Sequence, residues 1–194
     1  MGFLTSPLPS AISVAGQEYP VRTDFRVWLK FDKVMSDGGD ALENASEIIK
    51  LCMYPGKLPN DGTELFLKLI DFYVTDFDKE IAKRTDKTSK AFIPVINFEY
   101  DAAYIYAAFL EQYGIDLVDI EYLHWWKFQA LFKGLSENSK IVKIMGYRSI
   151  DIGNIKDKKQ RQLYEKLKSN YALPDLRCAE EKESTFAESL SKLF

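Results

Sequence analysis

This chain has little of what enzymes commonly use. Its 194 residues include one histidine, His124, and two cysteines, Cys52 and Cys178, far apart in sequence. Two isolated cysteines give neither a disulfide framework nor the paired spacing of a zinc site. The expected setting is therefore reducing and intracellular. Glycine-rich phosphate loops, the GxSxG elbow and the HExxH helix are all missing. No cofactor, metal or catalytic residue is expected, and the chain reads as a protein that is not an enzyme.

Neither sign of charge dominates. The net charge is −3 and the pI is near 5.4, without the basic surplus that displaces counterions from a nucleic acid. The longest apolar run, Ala102 to Leu110, is too short to cross a bilayer. No basic segment followed by a long apolar one opens the sequence, so no signal peptide is expected. Met1 to Ser6 fits the loose N-myristoylation pattern. No basic cluster follows to supply a second membrane signal, and we read the fit as coincidence. Neither nucleic acid nor membrane is an expected partner.

What the sequence does have is aromatic bulk. Aromatic residues make up 14% of the chain, enough for a dense core, a binding surface, or both. The pattern predicts a mainly α fold, one domain over residues 1–174, with a small N-terminal β-hairpin near 12–21 around Gly16. Pro20 cannot donate to a ladder, so its strand should be an edge. Helices are expected from Thr23 or Asp24 to Met35, from Ala41 to Met53 with Leu42, Ala45, Ile48, Ile49 and Cys52 inward, and from Asp61 to Tyr73. The polar run KRTDKTSK suggests an exposed, mobile connector within 74–94. The carboxylates from Asp71 to Glu80 lack the spacing and glycine turn of an EF-hand loop.

Aromatic-rich core helices should follow over about 98–135. The first, ending at Gly114, is apolar on every side and is expected to be buried on every side. A second should run from Asp116 or Val118 to Lys133. A short helix near Lys140 to Met145 and a loop, GYRSIDIGN, come next. A basic helix from Lys156 to Asn170 should turn Leu163 and Leu167 inward. Residues 175–194 read as an acidic, weakly helical tail.

The sharpest question lies in YLHWWKFQALFKGL, Tyr122 to Leu135, which carries the only histidine. On a helical wheel Leu117, Ile120, His124, Phe128, Leu131 and Leu135 form one stripe. His124 sits in its middle, so it is expected to be a core residue with a hydrogen-bond partner. No nucleophile or ligand flanks it in sequence. Tyr122, Trp125 and Phe132 share the side of Glu121, Gln129 and Lys133. They are either a second packing layer or a candidate partner-binding surface.

The segment Tyr100 to Leu135, then KIMGYRSIDI and YALP, resembles the bacteriophage gene-product-fifteen family. The anchors are Asp101, Tyr104, Tyr113, Gly114, Ile115, Asp116, Leu117, His124, Trp125, Trp126, Phe128, Gly146, Tyr147 and Arg148. The resemblance reaches Pro174 and leaves the tail uncovered. It implies a gene just before the tape-measure gene of a long-tailed phage or prophage, the usual place of a tail assembly chaperone. The implied partners are the phage tape-measure protein and tail-tube subunits, with self-association left open. The implied place of action is the bacterial host cytoplasm, and the protein is expected to be absent from the mature virion. A structural virion component, such as a tail-completion or connector protein, is the alternative. No catalytic residue comes with the resemblance.

Overall fold

The computed structural model describes residues 3–37, 40–74 and 95–174. The connector expected within 74–94 and the acidic tail lie outside the described residues, apart from Val74. The fold is mainly α with one two-stranded antiparallel hairpin. Strands β1 (Ala11–Val14) and β2 (Gln17–Pro20) pair Ala11 with Pro20 and Val14 with Gln17. The two-residue turn holds Ala15 at φ 49° and Gly16 at φ 77°. Both central residues of the favoured hairpin turn need positive φ, so Ala15 is the strained partner. Ile12 and Val14 face the core while Ser13 faces out, the period-two alternation of a half-buried strand.

Three helices follow. Helix α1 (Phe25–Asp37) buries Phe25, Trp28 and Phe31 at helical spacing. The Asp24 carboxylate receives the Arg26 N–H at 2.9 Å. Helix α2 (Ala41–Cys52) starts at Asp40, which accepts from the backbone N–H groups of Leu42 and Glu43. Helix α3 (Gly62–Tyr73) starts at Asp61, which accepts from Glu64 N–H. These side-chain caps satisfy donors that have no partner inside the helix. Ile48 and Cys52 of α2 are buried, but Leu42 is 82% exposed. It lies in the first turn, where Ala41 and Glu43 are exposed as well, so the expected inward position is corrected.

Helix α4 (Ala102–Tyr113) begins later than expected. Asn97 accepts from the N–H groups of Glu99 and Tyr100 through its side chain, and this turn replaces the first helical residues. Gly114 stops the helix at φ 64°, the left-handed C-terminal position predicted for it. Helix α5 is only Trp125–Lys133, so the long helix expected from Asp116 or Val118 does not form. The Asp116 carboxylate instead accepts from Val118 and Asp119 N–H at 2.9 and 3.1 Å. Arg26 of α1 then donates to the carbonyls of Leu117 and Ile120 at 3.2 and 2.6 Å. Helix α6 (Lys140–Ser149) extends four residues into the GYRSIDIGN stretch that the sequence suggested was loop, and helix α7 (Lys158–Asn170) follows a short 3₁₀ turn. In α7 no residue is fully buried and Leu163 is 55% exposed. Only Leu167 of the expected inward pair is partly covered.

The core is a stack of aromatic rings. Phe128 lies nearly parallel to Phe25, Phe109 and Trp125, with centroids 5.0, 5.2 and 5.6 Å away. Trp28 stacks on Phe72 at 4.7 Å. These separations match the offset stacking that aromatic quadrupoles favour. Beside this core lies a buried ion pair: Arg148 of α6 grips Asp101, just before α4, through two bonds of 2.6 and 2.9 Å.

Candidate partner-binding surface

The structure answers the question raised by the histidine and paired tryptophans. His124 is buried and stands at the N-terminus of α5, not in mid-helix. Its Nδ1 accepts from Trp126 N–H at 3.0 Å, and its Nε2 lies 3.0 Å from the Pro9 carbonyl. The neutral Nε2–H tautomer satisfies both contacts. A short antiparallel bridge to Asp24 holds the approach: Phe25 N–H donates to Leu123 and Trp125 N–H to Thr23. Nδ1 thus caps α5 and Nε2 ties the N-terminal lead-in to it.

Burial holds the His124 imidazole below its ordinary value of 6.5; the Pro9 carbonyl opposes this and the Lys127 charge adds to it. A proton on Nδ1 would also face the Trp126 N–H with a second donor. The unfolded chain takes up the proton first as pH falls. The contribution of His124 is therefore full above about pH 6.5 and lost as pH drops through its lower folded-state value. We expect His124→Gln to cost on the order of 1–3 kcal/mol at neutral pH and to flatten this decline. Urea midpoints measured across that pH range check both outcomes.

The tryptophans close the end of α3. The last carbonyls of a helix have no partner within it. Trp126 donates its indole N–H to Phe72 O at 2.9 Å, Trp125 to Tyr73 O at 3.0 Å, and Gln129 adds a bond to Tyr73 O at 2.8 Å. Trp125 is 1% exposed, which corrects its placement on a candidate surface. The apolar face of α5 is rotated towards Trp125 and Phe132 because α3 ends against it. Phe132 is half-buried, edge-on to Phe98 at 5.8 Å. Only Tyr122 of the three is open, and its hydroxyl lies 2.7 Å from Thr23 Oγ1. Of the predicted stripe, His124, Phe128 and Leu135 are buried, while Leu117, Ile120 and Leu131 are partly buried against the core.

The uncovered apolar surface lies elsewhere. Helix α4 buries Ile105, Ala108 and Phe109. Its opposite face leaves Tyr100, Ala103, Tyr104, Ala107 and Leu110 exposed, against the expectation of burial on every side. Positions three and four apart share a helix face. Two alanines thus make a shallow floor, Tyr104 stands on one side, and Tyr106 and Leu110 stand on the other. Tyr106 is held in place by its hydroxyl, which donates to Asp116 at 2.9 Å. Exposed Glu111, four residues on from Ala107, closes the C-terminal end of this face with a charge; an apolar patch rimmed by polar groups marks an interaction site more often than scattered exposed residues do. The sequence signal was present in the all-round apolarity of residues 102–110.

Among the described residues no group of histidine, cysteine or acidic side chains could hold a metal ion. No described helix is long and apolar enough to cross a membrane.

These features define a mainly helical protein with an aromatic core, a small N-terminal hairpin and one helix showing an apolar face outward. The chain belongs to a phage protein family: the family described as "Bacteriophage Gp15 protein" matches residues 4–173. No curated protein and no solved structure matches it.

Proposed function

We propose that this chain is a tail assembly chaperone, a non-enzymatic protein that holds a helix of the tape-measure protein during tail morphogenesis. It acts in the host cytoplasm and leaves before the virion is complete. The observation that carries this reading is the outward face of α4. An amphipathic helix binds by laying its apolar side into a complementary groove. Two alanines let a partner backbone approach closely, and flanking tyrosines give contact area at little rotamer cost. Membership in a phage family supports the setting. A face only three helical turns long suits a partner that must later be released.

Ala107 is exposed, so Ala107→Glu should change fold stability by no more than about 0.5 kcal/mol. The expected result is loss of tape-measure capture in a co-expression pull-down, with the melting temperature unchanged. Capture at the wild-type level would count against this face. Mass spectrometry of purified particles separates the chaperone from a tail-completion or connector protein, because only the latter remains in the virion.

A further inference from the structure

The described chain ends close to the face just described. Arg148 donates through Nε to Tyr171 O at 2.6 Å, and through its two other guanidinium nitrogens to Asp101. One side chain thus ties the segment leading to Pro174 to the start of α4, beside Tyr100. Lys140 strengthens the same corner. Its ammonium donates to the Tyr171 hydroxyl at 2.6 Å and lies within electrostatic reach of Tyr104. Residues 175–194 follow from this point.

The composition of those residues is complementary to the groups exposed around Tyr171 and the outward face of α4. Residues 175–185 carry Asp175, Glu180, Glu181 and Glu183 against Arg177 and Lys182, so acidic charge is in excess, and Lys140 and Lys143 are exposed on the neighbouring α6. Phe186, Leu190, Leu193 and Phe194 follow at steps of four, three and one, the spacing of a single apolar helix side. Eleven residues from Asp175 to Thr185 can span up to about 36 Å, more than enough to reach the face. From Tyr100 to Leu110 that face is roughly 15 Å long at helical rise. Phe186 to Phe194, as a helix, would cover about 12 Å of it. The family match stops at residue 173, so this segment is outside the matched region.

We propose that residues 186–194 cover the outward face of α4 in the free chain and are displaced when a partner helix docks. The tail is then a built-in competitor that shields the apolar face until its partner arrives. Its role as a competitor rests on the docking reading above; its position on α4 does not.

The test uses the isolated chain and a thiol probe at the centre of the face. Ala107→Cys is made in a Cys178→Ser background. Cys52 stays silent, because burial, opposed by the Arg22 charge, pushes its thiol up to about 12. Labelling by a maleimide is timed in the full chain, in a chain stopped after Pro174, and in the full chain carrying Leu190→Asp. If the face is open about a tenth of the time, both alterations should speed labelling by roughly tenfold. Equal rates in all three would overturn the proposal. So would a full-chain rate that falls with rising protein concentration, which would put a second copy on the face.

The docking reading fails separately. The stopped chain should capture more tape-measure protein than the full chain if both ideas hold. Equal labelling rates with capture retained would remove the tail and leave the docking face standing.

Discussion

Replacing Trp125 with alanine is expected to lower stability by about 3–5 kcal/mol, the range for emptying a large aromatic site in a core. Three losses combine. The ring leaves stacking partners at 5.3 Å on Tyr73, 5.6 Å on Phe128 and 6.5 Å on Trp28. Phe98 loses the surface it meets edge-on at 6.3 Å. The Tyr73 carbonyl keeps Gln129 but loses the indole donor. Trp125→Phe should recover most of the packing and none of that hydrogen bond, so it should fall between the two. Chemical denaturation of the three proteins measures the order. A Trp125→Ala protein within about 1 kcal/mol of wild type would be incompatible with a core position, since such cavities cost several times more.

The second large effect is expected at Arg148. Arg148→Ala leaves Asp101 buried without its cation, and breaking one side of such a pair typically costs about 3–5 kcal/mol. It also strips a donor from Val95 O and from Tyr171 O, which Arg148 reaches at 3.0 and 2.6 Å. Arg148→Lys should recover little, because one ammonium cannot reproduce a planar fork that spans two carboxylate oxygens and two carbonyls. Pairing Arg148→Met with Asp101→Leu should cost clearly less than the two single changes summed, since buried pairs are often replaceable by apolar groups. Unfolding midpoints for the four proteins close the cycle, and strict additivity would argue against direct coupling.

Much of the fold is legible in the sequence where local chemistry and pattern agree. Asp61 before α3, Gly114 after α4 and the turn at Gly16 each carry one physical reason and each stand where expected. The long helix expected before α5 fails for a local reason. The apolar spacing runs on from Asp116 through His124 as if one helix held both, yet both use their side chains to bind nearby backbone N–H groups. That local competition breaks a helix while leaving the apolar periodicity intact. Leu117 and Ile120 still pack against the core, but from a loop pinned by Arg26, ninety-odd residues earlier in the chain. No window of local sequence contains that contact.

The candidate site is less legible, for a tertiary reason. The pattern of α5 shows that some aromatic side needs a partner but not that α3 ends against it, so Trp125 could be placed either way. The all-round apolarity of α4 is plain in the sequence, and burial was the natural inference from it. Only the packed structure shows that one face stays exposed. Arg148 was visible as an anchor of the family resemblance, without any sign that Asp101 would meet it.

The chain has three tryptophans, and each indole N–H is tied to a backbone carbonyl: Trp28 to Arg22, Trp125 to Tyr73 and Trp126 to Phe72. None lies on the outward face of α4. Tryptophan fluorescence, excited selectively at wavelengths where tyrosine does not absorb, is therefore a reporter of the core and not of that face. It should stay silent when a helix settles on Tyr104 and Leu110, and shift when α3 parts from α5. One optical signal can thus separate a variant that has lost its partner from one that has lost its fold.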